Sequence, residues 1–240
     1  SVEGSSSVNI SGRSVIADII ASGSSILNIS GGNVQYLEAR DLRLNGPQRL
    51  NITEGTVEKL NAFITLEENE NLNYAADFSP SDLALFGVQA APETVANVSD
   101  VTFTTCDTSS ISISGGIVNY LYAEDGSTIN ISGGSIDSYI NAYDNSIVNI
   151  SGGNISSLRA YGTSTVIFDG YDFVLGKGLS WDIDSQIILG TGILTGKWFD
   201  DTSFVIPIDG HRSTATIMAI PEPTTVFLLG FGVFGVLRGR

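Results

Sequence analysis

Ser146-Ile147-Val148-Asn149-Ile150-Ser151-Gly152-Gly153 is one copy of a unit that recurs from one end of the chain to the other. Further copies stand at 8–12, 27–32, 50–55, 111–116 and 129–134, with worn ones at 83–87 and 166–170. Aligned on the second apolar residue, the series runs Ile10, Ile29, Ile52, Leu85, Ile113, Ile131, Ile150, Phe168, in steps of 19, 23, 33, 28, 18, 19 and 18 residues. A fixed period of about 20 residues marks a solenoid, in which each repeat buries its apolar face only against its neighbours.

The contents of one period name the type. An apolar-x-apolar pair alternates as a strand does, Gly-Gly punctuates a turn, and a second motif follows, Val-x-x-Leu-x-Ala. That motif reads Val34, Leu37, Ala39; Val57, Leu60, Ala62; Val118, Leu121, Ala123; and Ile155, Leu158, Ala160. Two copies carry one more residue, Val15, Ile19, Ala21 and Ile136, Ile140, Ala142; both sit in 19-residue turns, so the extra residue reads as a bulge. Gly-Gly and β-branched residues in every unit argue against a helical repeat. The fold class is therefore all-β: a parallel β-helix of about eight rungs of 18–19 residues plus insertions, each rung roughly 4.8 Å above the last. Val8, Ile10, Leu27, Ile29, Leu50, Ile52, Ile111, Ile113, Ile129, Ile131, Val148 and Ile150 are expected in buried columns. The asparagines between them should face out, and Ser151 should stack on Ser132.

Three segments follow: repeats over 1–170, a β-rich cap over 171–218 carrying Trp181 and Trp198, and a tail over 219–240. Two stretches loosen the pattern, 65–80 with its acidic run Glu67-Glu68-Asn69-Glu70, and 89–107. Loops that interrupt a solenoid project from its side. With 42% hydrophobic and 15% charged residues, the chain has apolar material for one elongated core. A net charge of −15, with only 11 scattered Lys and Arg, excludes nucleic acid as a partner. The single cysteine, Cys106, makes no internal disulfide and reads as a small buried residue.

The tail has three parts: Ile220-Pro221-Glu222-Pro223-Thr224-Thr225, the uncharged run 226–237, and Arg238-Gly239-Arg240. It resembles the PEP-CTERM sorting domain of Gram-negative bacteria. That resemblance implies a sorting motif at Pro221, Glu222 and Pro223, read by an exosortase. It also implies a hydrophobic helix held transiently in the inner membrane, and a basic cytoplasmic end at Arg238 and Arg240. The upstream rod resembles the β-solenoid passenger of some members of that group. The implied destination is the cell surface or extracellular matrix. Residues 224–237 number 14, about 21 Å as a helix against the roughly 30 Å of a bilayer core. The arginines obey the positive-inside rule.

For chemistry, the sequence offers two readings. β-Helices include polysaccharide lyases and hydrolases, and Asp182, Asp184 and His211 are the residues such a carbohydrate-active enzyme would draw on. No basic partner recurs in the rungs, so the first reading is a non-catalytic structural or adhesive rod that needs no cofactor or metal. Outward asparagines at 9, 28, 51, 130 and 149 form a column whose amides can bond along their own length. Tyr120, Tyr122, Tyr139, Tyr143 and Tyr161 cluster on neighbouring rungs and are candidate carbohydrate-binding residues, since sugar rings stack on aromatic faces. The Asn-x-Ser/Thr triplets come with the repeat and are not read as glycan sites.

Proline fixes its own backbone angle and extends the residue before it, so the segment around Glu222 is a stiff grip for a protease. In a host with the exosortase, mass spectrometry of the mature protein should find a new terminus near Pro223. Pro221→Ala with Glu222→Ala should leave the chain uncleaved in the inner membrane; an intact Arg240 on protein outside the cell contradicts this.

Overall fold

The computed structural model describes residues 1, 4, 6–13, 15–43, 46, 50–76, 85–86, 88–90, 98–182, 187–211 and 215–220, of which 55, 88–90, 98–100, 210 and 211 are described by backbone alone. Among them nineteen strands join one continuous sheet. Most pairings are parallel and link each strand to its counterpart one repeat away, so the chain winds as a β-solenoid of about seven turns. No helix of the described residues is long and apolar enough to cross a membrane; the expected helix over 224–237 lies outside them.

The inward columns are continuous. Ile111, Ile129, Val148, Val166 and Ile217 pair in sequence, as do Ile113, Ile131, Ile150, Phe168 and Ala219, and all are buried. Leu121, Ile140, Leu158 and Ile208 form a third column, and Ala123, Ala142 and Ala160 a fourth at the narrow corner. Each fully buried Ile or Leu contributes about 1.5–3 kcal/mol of transfer free energy. Of the twelve residues expected in columns, Val8 alone is only half-buried, lying in the first strand, Ser7–Ile10.

Outward, the asparagine column forms as a ladder. Asn28 Nδ2 donates to Asn9 Oδ1 at 2.7 Å, Asn51 to Asn28 at 2.8 Å, and Asn149 to Asn130 at 2.8 Å. These ladder bonds leave all but Asn9 half-buried rather than exposed. Ser132 pairs with Gly152, not Ser151, because the backbone shifts by one residue at the Gly-Gly bend. There a Cβ on Gly152 would sit 2.3 Å from the carbonyl oxygen of Ser132, so only glycine passes.

Several expectations need correction. Leu85 is 51% exposed and belongs to no column; Leu72 and Tyr74 pair with Ile111 and Ile113 instead. The acidic run 67–70 is a tight corner, not an excursion: Cys106 N–H bonds Leu66 O and Ser110 N–H bonds Glu70 O, so this corner stacks under 106–109. Val98–Thr105 is likewise a regular strand. In the first rung Ile16, not Val15, pairs with Val34; Val15 is 71% exposed, and the extra residue of that turn lies before the second motif. The bulge at 136–140 is where the sequence places it. The second motif also fails to align the two halves, since Leu121 pairs with Phe103 and Phe103 with Ile64 rather than Leu60.

Beyond Tyr171 the chain leaves the spiral for antiparallel strands, Tyr171–Leu175 on Gly192–Lys197 and Leu179–Asp182 on Ile187–Gly190. It then returns. Ser203–His211 and Thr216–Ile220 pair parallel with Leu158–Ala160 and Thr165–Asp169 and add a last turn to the solenoid.

Gly152→Ala should lower stability by about 1–3 kcal/mol, because backbone atoms have to give. Ser151→Ala should be near-neutral by urea denaturation; equal midpoints for the two variants would contradict the close approach.

Candidate functional site

The corners that follow the second motif position the candidate face. Ser22-Gly23-Ser24-Ser25, Cys106-Asp107-Thr108-Ser109, Glu124-Asp125-Gly126-Ser127, Tyr143-Asp144-Asn145-Ser146 and Tyr161-Gly162-Thr163-Ser164 share one construction. The second residue is left-handed, at φ between 51° and 65°, where glycine and aspartate are tolerated. In the last four, the fourth residue's N–H bonds the carbonyl of the first at 3.0–3.2 Å, and in all five the serine is buried at the bend. Serine hydroxyls return the favour, accepting from Cys106 N–H at 3.0 Å and Glu124 N–H at 3.2 Å. In the acidic corner Glu70 Oε2 takes that role toward Glu67 N–H at 2.8 Å. Sequence reasoning missed this Ala-x-Asp/Gly-x-Ser signal, which is legible at 21–25, 123–127, 142–146 and 160–164.

Because three strands enter these corners in register, alternation sets out three rows on one face: Tyr120, Tyr122, Glu124; Tyr139, Asn141, Tyr143; and Ser157, Arg159, Tyr161. All five candidate tyrosines are therefore together. Tyr120 and Tyr139 meet edge-on at 4.7 Å, Tyr122 and Tyr139 at 6.1 Å, and Tyr143 and Tyr161 stack at 5.1 Å and 12°. The Tyr122 and Tyr139 hydroxyls are 3.3 Å apart. Arg159 lies over the Tyr139 ring at 4.6 Å and donates to Asp209 at 3.1 Å, from the strand that returns after the antiparallel excursion. The rings are half-buried, so each keeps area for a ligand.

Among the described residues five buried side-chain oxygens have no hydrogen-bond partner, and four of them, on Thr102, Asn141, Ser146 and Ser164, lie under this face and its corners. Asn141 is 4% exposed and its Oδ1 accepts no hydrogen bond; Thr102, which pairs with Tyr120, is 3% exposed and its Oγ1 is likewise unbonded. In the first half of the rod Asn33 Oδ1 is unbonded as well, while the donor end of a second covered asparagine is satisfied. Asn61, 7% exposed, donates Nδ2 to Tyr36 Oη at 2.7 Å.

Electrostatically the face turns acidic at its corner edge. Burial holds the Glu124 carboxyl above its ordinary range, reinforced by Asp125 and Asp144. Burial also raises the phenols of Tyr122, which further bonds Tyr139, and of Tyr143. The Cys106 thiol is pushed up to about 11 by burial and then by Glu124, Asp125, Asp107 and Glu67.

The residues of the enzyme reading do not assemble into a described site. Asp182 is exposed on Leu179–Asp182, the side chain of His211 and the whole of Asp184 lie outside the described residues, and so do Pro221, Glu222, Pro223, Arg238 and Arg240. Two clefts flank the C-terminal strands. One of about 490 Å³ lies between Gly134, Gly153 and Phe204, with Trp198 Nε1 donating to Gly153 O at 3.1 Å. The other, about 400 Å³, is lined by Asp172, Phe173, Leu175 and Trp181. Among the described residues no three His, Cys, Asp or Glu side chains converge as a metal site.

Residues 219–240 match the family model described as the PEP-CTERM protein-sorting motif. The chain carries a PEP-CTERM signal on a β-solenoid passenger. That signal marks an exported protein, held in the membrane before an exosortase processes it. No curated protein and no solved structure matches the chain.

Cys106 should label slowly with thiol reagents at pH 8, its thiolate forming only near pH 11. Glu124→Gln removes the largest charge contribution, though not burial, and should speed labelling. Cys106 is half-buried rather than buried as expected, so slow labelling rests on its partly covered, acidic corner, and labelling as fast as free cysteine in the folded wild type would contradict that.

Proposed function

We propose that this protein is a non-catalytic rod of the cell surface or extracellular matrix of a Gram-negative bacterium, and that it binds polysaccharide through its tyrosine face. The observation that carries the reading is the three-rung aromatic face. Five tyrosines on three strands paired in parallel form one cluster of half-buried rings on a protein addressed for export. A polysaccharide is a repeating ligand, and rungs spaced by roughly 4.8 Å give a repeating surface. Tyrosine gives contact area at low entropic cost and carries a hydroxyl for the wet edge of a sugar.

Glycoside cleavage uses two carboxylates about 5–9.5 Å apart across the bond. Among the described residues that line these two clefts, Asp172 is the one carboxylate, and it is ion-paired with Lys197 at 3.3 Å.

In affinity gel electrophoresis against the producer's own polysaccharide, the protein should be retarded, and Tyr143→Ala with Tyr161→Ala should weaken binding roughly tenfold. No retardation, or an unchanged double variant, contradicts the reading; release of reducing ends or unsaturated products would favour an enzyme.

A further inference from the structure

We propose that the glycan on this face is uncharged, and that Asn141 is the residue that selects it by accepting a sugar hydroxyl at Oδ1. The inference rests on the polysaccharide-binding reading above. Asn141 sits in the middle of the three rows, between Tyr122 and Arg159 across the rungs and between Tyr139 and Tyr143 along its own strand. A buried carbonyl oxygen without a donor is costly, and native structures rarely keep one without cause. Here the donor is the ligand's.

The lateral neighbour of Asn141 is a surface arginine. Arg159 crosses from the next rung to lie on Tyr139, and such a side chain changes rotamer in nanoseconds. A sugar ring laid on Tyr139 takes the place of the guanidinium, and its hydroxyl then reaches Asn141. Thr102 Oγ1, another unbonded atom, lies one rung below Tyr120 and extends the same polar floor beneath the rings.

Charge decides the class. Arg159 is the only cation in the three rows and is matched by Asp209. Glu124, Asp125 and Asp144 border the Tyr143 end, and the chain carries a net charge of −15. An anionic glycan meets repulsion over a Debye length of about 8 Å and finds no unpaired cation. A neutral one loses nothing by lying there.

The test compares the full chain with Asn141→Leu, which has nearly the same shape and no acceptor. Affinity gels contain either neutral polysaccharides (a β-glucan, a xylan, a mannan) or anionic ones (alginate, polygalacturonate), at low and high salt, and thermal midpoints are read in parallel. The wild type should be retarded by at least one neutral polysaccharide and by neither anionic one. Asn141→Leu should weaken that binding roughly tenfold while its thermal midpoint stays equal or rises. Unchanged binding overturns the proposal, as does a variant that melts earlier or fails to fold, because Asn141 would then be a structural residue. Retention on anionic polysaccharide alone overturns the neutral assignment and leaves polysaccharide binding standing. Retention on neither class removes both.

Discussion

Parallel pairing of each strand with its counterpart one turn away is the constraint on which everything else in this rod depends. Side chains along a strand alternate between core and solvent, so a fixed register makes every position a column. Inward, the columns become the isoleucine and leucine stacks that exclude water. Outward, they become repeated surface groups, and a residue that suits one rung is brought against its equivalent in the next. The asparagine ladder and the tyrosine face are two products of this one rule. They differ in that the ladder satisfies its own hydrogen bonds, whereas the tyrosine face leaves Asn141 and Thr102 without theirs.

Where the repeat is regular, most of the register was legible in the sequence. Over 109–170 the apolar pair, the Gly-Gly bend and the bulge at Ile136 to Ile140 all stand where spacing put them, and all five tyrosines share one face. Legibility failed where the punctuation changed chemistry. Glu67-Glu68-Asn69-Glu70 contains no glycine or serine, yet a glutamate carboxylate closes that corner as serine does elsewhere. The rung that follows, with Leu72 and Tyr74, was hidden behind it, and Leu85 was given its place. Val15 and Ile16 are both apolar, and only pairing with Val34 separates them. Arg159 and Asp209 are 50 residues apart, and nothing local announces that the chain returns to the solenoid after its antiparallel strands.

Binding faces and stable faces place opposite demands on a β-solenoid. A column of small, self-bonding residues maximises stability, since each rung completes the hydrogen bonds of the one before. A face that takes a ligand must instead present rings and acceptors whose bonding is incomplete, and it carries that cost in the free state. The regular C-terminal half supplies the support. Buried columns run beneath Tyr120 to Tyr161 without a gap, and the last turn, reached through Ser203–His211, supplies Asp209, which pairs with Arg159 at the edge of the face.

The sorting signal and the face meet in the proposed function, in which export brings a strip of aromatic rings to polysaccharide outside the cell. The chain contains eight tyrosines, which makes the picture readable one ring at a time. With tyrosine rings isotopically labelled, NMR during titration with a neutral oligosaccharide measures which of them the ligand touches. The account predicts shifts at Tyr120, Tyr122, Tyr139, Tyr143 and Tyr161, with Tyr36, Tyr74 and Tyr171 unmoved. Shifts confined to those last three, or at none of the eight, would contradict it.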